Sequence, residues 1–106
     1  MIRAHLNYCD NQIAGFKLTG HADAGEYGQD IVCAAVSVLA INTVNSLEQL
    51  VKVTPQVISD DEQGGYLEVK LSDDQVQHPE AQLLLQSFKL GLQDIEKNYD
   101  KYIKIK

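Results

Sequence analysis

Cysteine is scarce in this chain: only Cys9 and Cys33 occur, and they do not form a Cys-x-x-Cys pair. Two cysteines are too few for a disulfide-stapled mini-protein, and the missing pair argues against a thiol redox protein. Met1 to His5 also lack the apolar stretch of a secretory signal peptide. We therefore expect a cytoplasmic protein whose two thiols stay reduced.

Long hydrophobic runs and an excess of basic residues are also missing. We see no apolar run that approaches the roughly 20 residues of a membrane helix, and the formal net charge is -6. A nucleic-acid-binding protein usually carries a basic surface that displaces phosphate counterions. We expect neither membrane insertion nor direct nucleic-acid binding.

Length and hydrophobic periodicity predict the fold class. The 106 residues fit a single domain spanning 1–106, since domains are most often about 100 to 150 residues long. Alternating residues predict strands, and apolar residues three and four apart predict helices. The order is β-β-α-β-β-α-β, with strands at 2–8, 13–20, 56–59, 65–71 and 102–106 and helices at 31 to about 51 and 79 to about 99. This order predicts an α+β domain with a mixed or antiparallel sheet and two helices.

The first helix is expected to begin after Asp30, a favourable N-cap residue. Val38, Ile41 and Val44 lie outside its main apolar stripe, so the helix is apolar over most of its circumference. Such a helix needs cover on more than one side. We expect the sheet to cover one side, and either the second helix or another subunit to cover the other.

Candidate chemistry lies in the segment from His21 to Cys33. With the helix starting after Asp30, Cys33 falls in its first turn, where the macrodipole and a nearby histidinium favour thiolate over thiol. Free N–H groups of that turn are candidates for holding an oxyanion. His21 leaves the second strand and would accept the Cys33 proton and return it to a leaving amine.

Two further residues are candidates for auxiliary roles. Ser37 lies one helical turn after Cys33 and so shares its face. Asp30 either caps the helix or orients His21, and as a cap its charge would oppose thiolate formation at Cys33.

The predicted hairpin separates the two cysteines. With a turn at Asp10-Asn11, Cys9 lies roughly 30 Å from His21 at about 3.4 Å per paired residue. A Cys9–Cys33 disulfide is then incompatible with a His21–Cys33 dyad. The same distance argues against a zinc site shared by the cysteines, and we expect no metal and no cofactor.

This segment closely resembles the signature of the ribosomal-processing cysteine protease family, Prp or YsxB-like. The matching residues are Gly20-His21-Ala22, Gly25, Gly28 and Asp30-Ile31-Val32-Cys33-Ala34-Ala35-Val36-Ser37. The resemblance implies a small cytosolic α+β homodimer that removes a short N-terminal extension from a large-subunit ribosomal protein.

The resemblance also implies roles for residues of this chain. It makes His21 and Cys33 the catalytic residues, and Ala22 to Gln29, with Gly25 and Gly28, a loop that orders over the substrate peptide. Members cut after an aromatic residue in a mostly apolar peptide, which implies a hydrophobic groove beside Cys33.

Simpler interpretations of the same residues remain open. Cys33 is also compatible with a small buried residue of a helix, and Gly25 and Gly28 with ordinary turn geometry. The alternative function is a non-catalytic dimeric binding module in ribosome assembly, with a thiol redox protein as the third hypothesis.

Overall fold

We describe a computed structural model that covers residues 1–21, 27–60 and 62–106, with the backbone alone for Tyr27 and Gln63.

The first two strands form the predicted hairpin. Strand β1 (Ile2–Cys9) pairs antiparallel with β2 (Gln12–Thr19). Asp10 and Asn11 make the turn with φ of 50° and 68°, a left-handed conformation that Asn and Asp tolerate better than most residues. Cys9 therefore lies at the turn end of the hairpin, paired with Gln12.

Three more strands complete a five-stranded mixed sheet. They are β3 (Gln56–Asp60), β4 (Tyr66–Lys70) and β5 (Ile103–Ile105). The strand order is β3-β4-β2-β1-β5, and β5 runs parallel to β1 while the other pairs are antiparallel. The predicted α+β class with a mixed sheet is confirmed.

Two long helices, α1 (Tyr27–Gln49) and α3 (Pro79–Asn98), form the second layer. The structure adds the short helix α2 (Asp73–Val76) and a 3₁₀ turn (Glu62–Gly64), which the periodicity does not predict. Helix α2 begins with a capping box, in which the Ser72 side chain accepts from the Gln75 amide and the Gln75 side chain accepts from the Ser72 amide. This Ser-x-x-Gln signal is present in the sequence.

The core lies between the helices and one face of the sheet. Alternate residues of β1 and β2 supply Ile2, Ala4, Leu6, Phe16 and Leu18, all buried. The rings of Phe16 and Phe88 on α3 lie 4.2 Å apart between centroids. One polar side chain, Gln82, is buried in the same layer, donating to the Ile13 carbonyl and accepting from the Ile13 amide. It fixes α3 to the start of β2.

The predicted start of the first helix was wrong. Helix α1 begins at Tyr27, so Asp30 is the fourth helical residue and not the N-cap, and Gly28 and Gln29 belong to the helix and not to the loop. The physical reason is packing, because a Cβ on Gly28 would lie 2.6 Å from Cε2 of Tyr102. The Tyr102 ring covers the bare Gly28 backbone and offsets the low helix propensity of glycine.

The expectation that no segment is apolar enough for a membrane helix was also wrong. Residues 28–49 have a mean hydropathy of 1.6 and satisfy the length and composition of a membrane span, since only Asp30 and Glu48 are charged there. Core helices of water-soluble domains satisfy the same criteria. In this fold α1 buries Val32, Val36 and Leu47 in the core and packs against α3, where a Cβ on Gly91 would lie 2.8 Å from Leu39.

Candidate active site

His21 follows a backbone bend that glycine makes possible. Gly20 has a φ of +80°, and a Cβ at this position would collide with the carbonyl oxygen of Met1. The Gly20 amide donates to the Gly65 carbonyl at 3.2 Å, which ties the end of β2 to the residue before β4. His21 is the next residue and is half-buried.

Cys33, on helix α1, packs against this bend. Its side chain is 7% exposed, and its Sγ lies 3.7 Å from the carbonyl oxygen of Gly20. The sulfur therefore contacts the backbone of the residue that precedes His21. The structure thus brings Cys33 and the backbone that leads into His21 together at the open end of the hairpin.

The earlier helix start changes the surroundings of Cys33. Cys33 is the seventh residue of α1, in its second turn, where backbone N–H groups are already paired within the helix. The helix macrodipole acts mainly within the first turn. The predicted first-turn position of Cys33 was therefore wrong, and its own amide is not one of the helix's unpaired donors.

The sulfur of Cys33 accepts a hydrogen bond from a side-chain amide. Gln29 precedes Cys33 by four residues, and its Nε2 donates to Sγ at 3.3 Å. Gln29 is buried. This contact was not predicted, because Gln29 falls in the loop expected from the sequence. The (i, i+4) spacing indicates it only when both residues lie on one helix.

Ser37 and His21 share the wall of an apolar pocket. The pocket has a volume of about 370 Å³ and lies between α1 and strands β3 and β4. Its other described lining residues are Ile41, Val44, Asn45, Val57, Ser59 and Leu67. Cys33 is not among these lining residues, so the hydrophobic groove beside Cys33 that the family resemblance implies stays a prediction.

The remaining predicted site residues lie elsewhere or outside the described part. Ala22 and Gly25 are not among the described residues, and Gly28 packs under Tyr102 in α1. Asp30 is exposed in the first turn of α1, where a negative charge stabilises the helix terminus. Its role in orienting His21 stays a prediction.

The two cysteines differ in environment. Cys9 is exposed and Cys33 buried, and no disulfide joins them. Within residues 1–21, 27–60 and 62–106, no group of three or more His, Cys, Asp and Glu side chains is arranged to hold a metal ion.

Comparison with known proteins identifies the family of the chain. The family model described as cysteine protease Prp matches residues 1–104. The ribosomal processing cysteine protease Prp of Staphylococcus aureus is 36% identical over 96 residues, which cover 91% of this chain and 88% of that protein. The Bacillus subtilis protein of the same name is 35% identical over 98 residues, with 91% and 87% covered.

Solved structures of similar proteins share the whole fold. SMU.848 from Streptococcus mutans superposes with a TM-score of 0.95 at 39% identity, covering 100% of this chain and 92% of that one. The S. aureus processing protease in complex with a substrate peptide gives 0.89 at 34% identity, with 100% and 98% covered. The S. aureus protease with a covalently linked product peptide gives 0.86 at 35% identity, with 99% and 97% covered. This chain therefore belongs to the Prp family of cysteine proteases.

Proposed function

We propose that this cysteine protease removes the N-terminal extension of a large-subunit ribosomal protein, with Cys33 as nucleophile and His21 as acid and base. The observation that carries the proposal is the contact between Cys33 Sγ and the carbonyl of Gly20, next to His21. An apolar pocket beside His21 adds support. The related proteases of S. aureus and B. subtilis are named for ribosomal processing.

The chemistry is acyl transfer in two halves. Cys33 gives its proton to His21 and attacks the scissile carbonyl carbon, so that a C–S bond forms and the carbonyl π electrons move to oxygen. When the intermediate collapses, the C–N bond breaks and the leaving amine takes the proton from His21. His21 then deprotonates a water molecule that adds to the thioester. The C–S bond breaks, and the carboxylic acid product leaves.

The pocket supports an apolar, aromatic-containing substrate segment. Its volume of about 370 Å³ and its lining by Ile41, Val57 and Leu67 suit one large apolar side chain held next to the reacting groups. We propose that it takes the aromatic side chain on the acyl side of the cut. The loop residues Ala22 and Gly25 would then close over the peptide.

Ser37 is proposed as an auxiliary residue. It is half-buried and shares the pocket wall with His21, so its hydroxyl is available to a bound peptide. Replacing it with alanine should raise KM more than it lowers kcat, because the lost contact is to bound substrate. Asp30 would act at a greater distance from the peptide, through the helix terminus or His21.

The direct test is cleavage of an extended ribosomal-protein precursor by purified variants. Cys33→Ala and His21→Ala should both abolish cleavage, and Cys9→Ala should cleave like the unmodified protein. Retained cleavage by Cys33→Ala would contradict the assignment. If the unmodified protein binds the precursor tightly and leaves it uncut, the alternative of a binding module in ribosome assembly replaces the protease.

The proposal includes a homodimer in the cytoplasm. An apolar groove of about 570 Å³ lies between α1 and α3 and contains Val38, which is 67% exposed. A second copy of the chain would cover this surface. Sedimentation should show a dimer that Val38→Glu converts to a monomer, while Leu83→Glu, at an exposed position of α3 that does not line the groove, leaves it dimeric. A monomeric unmodified protein would contradict this part.

A further inference from the structure

The Gln29 side chain donates a hydrogen bond to the sulfur of Cys33, the proposed nucleophile. Its Nε2 lies 3.3 Å from Sγ of Cys33. The two side chains are 8% and 7% exposed, so water screens the contact little. We infer that the Gln29 side-chain amide is a catalytic hydrogen-bond donor, which stabilises the Cys33 thiolate and then the oxyanion. This inference rests on the proposed function, in which Cys33 is the nucleophile.

The two groups around the sulfur favour different protonation states. The carbonyl oxygen of Gly20, at 3.7 Å, accepts from a thiol but repels a thiolate. The Gln29 amide has no acidic proton to lose and donates N–H groups, so it favours the thiolate. When Cys33 gives its proton to His21, the contact with Gly20 becomes unfavourable and the contact with Gln29 becomes stronger.

The same amide is positioned for the next step. In the tetrahedral intermediate, the oxyanion and Sγ are bonded to the same carbon. The negative charge therefore develops close to the sulfur. A primary amide carries two N–H groups, and one of them remains for an oxygen while the other faces Sγ. An effective oxyanion donor lies about 3 Å from the position of the developing charge.

The position of Cys33 in α1 excludes its own backbone amide as an oxyanion donor. Its backbone amide is already paired in the second turn of the helix, so it does not provide an oxyanion contact without breaking the helix. Gln29 is held on the same helix face, one turn earlier. The adjoining Gly28 is covered by the Tyr102 ring, and this packing fixes the turn from which Gln29 projects.

Two substitutions of Gln29 distinguish the loss of the hydrogen-bond donor from a change in side-chain volume. Gln29→Met keeps length and helix propensity but removes the amide, and Gln29→Glu keeps the shape but places acceptor oxygens on the sulfur. Gln49→Met, at the exposed last residue of α1, is the matched control. Each is made in a Cys9→Ser background so that Cys33 is the single thiol.

Three measurements are made on every variant: peptide cleavage, giving kcat and KM; the rate of iodoacetamide alkylation as a function of pH; and the thermal unfolding midpoint. Removing one oxyanion donor should lower kcat about 100-fold in Gln29→Met and change KM little. The midpoint of the alkylation profile should move up by about one pH unit, and further in Gln29→Glu. Gln49→Met should change neither quantity.

An unchanged alkylation midpoint in both Gln29 variants would overturn the inference, because a donor to the thiolate cannot be removed without changing the proton affinity of the thiol. A lower kcat that only follows a lower thermal unfolding midpoint would also overturn it, in favour of a structural role. The alkylation profile requires no substrate. It therefore reports on Gln29 even if the unmodified protein cleaves no ribosomal precursor, a result that would contradict the proposed function instead.

Discussion

The Sγ of Cys33 lies 3.7 Å from the carbonyl oxygen of Gly20, the residue immediately before His21. This contact joins the open end of the β1–β2 hairpin to the second turn of α1. Gly20 is held by the hydrogen bond that its amide donates to the Gly65 carbonyl and by its close approach to Met1. These contacts of Gly20 hold the backbone that leads into His21 against Cys33.

Replacing Gly20 with alanine should reduce both stability and activity. A non-glycine residue in a left-handed conformation costs about 1–3 kcal/mol, and the new Cβ would also collide with the Met1 carbonyl. The midpoint of urea unfolding should fall by the corresponding amount. The rate of peptide cleavage should fall by more than the loss of folded protein accounts for, because His21 moves. Gly91→Ala is the control, since its Cβ meets only the mobile end of Leu39 and alanine favours the helix. Equal midpoints for the two variants would contradict this account.

Cys33 should react faster than Cys9 although Cys33 is the buried thiol. Cys9 is exposed and Cys33 is buried, so accessibility alone predicts faster alkylation of Cys9. The thiolate is the reactive form, and the Gln29 donor favours it at Cys33. At neutral pH, iodoacetamide should therefore label Cys33 first, as followed by peptide mass spectrometry. Preferential labelling of Cys9 would show that Cys33 is not activated.

Replacing Gln82 with methionine should destabilise the fold without touching the site. The side chain bonds both the amide and the carbonyl of Ile13 and donates to the Val76 carbonyl. An unsatisfied buried group costs about 1–3 kcal/mol, so the free energy of unfolding should fall by about 2 kcal/mol or more. Gln86→Met, one turn later at an exposed position, should be close to neutral. A similar loss in both variants would contradict the role of these bonds.

Tyr66 should titrate above the ordinary phenol pKa of 10.0. Partial burial raises its pKa first, followed by its hydrogen bond to Glu68 and the negative charge of that carboxylate. A raised folded-state pKa contributes stability below about pH 10 that is lost as pH rises through the folded value. The difference in ultraviolet titration between the unmodified protein and Tyr66→Phe isolates this phenol. Glu68→Gln should lower its pKa toward 10.0, and an unchanged titration would refute the coupling.

Local periodicity was enough to predict most of the secondary structure, because apolar and polar residues alternate along β1, β2 and β4 and the turn at Asp10 and Asn11 has suitable residues. The parallel pairing of β5 with β1 joins Ile2 to Ile103, and no local pattern encodes a contact between opposite ends of the chain. The start of α1 was misplaced for the same reason. Asp30 is a favourable cap in isolation, while Tyr102, far along the chain, allows the helix to include Gly28.

The site was predicted in part. The family motif predicts His21 and Cys33 as the catalytic pair, and the fold brings their segments together. Gln29 was missed because its role depends on the helix start, and Gly20 because its role depends on Met1 and Gly65. These contacts come from tertiary packing, which a residue pattern does not contain.

The most direct test of the catalytic assignment is a search for the acyl-enzyme. The protein, as its Cys9→Ser variant, is mixed with an extended ribosomal-protein precursor, quenched in acid within the first turnover and analysed by intact mass and peptide mapping. We predict a mass increase equal to the N-terminal fragment less one water, located on Cys33 as a thioester, and no such adduct in the Cys33→Ala form. Cleavage that proceeds without this adduct, or with Cys33 absent, would contradict the account.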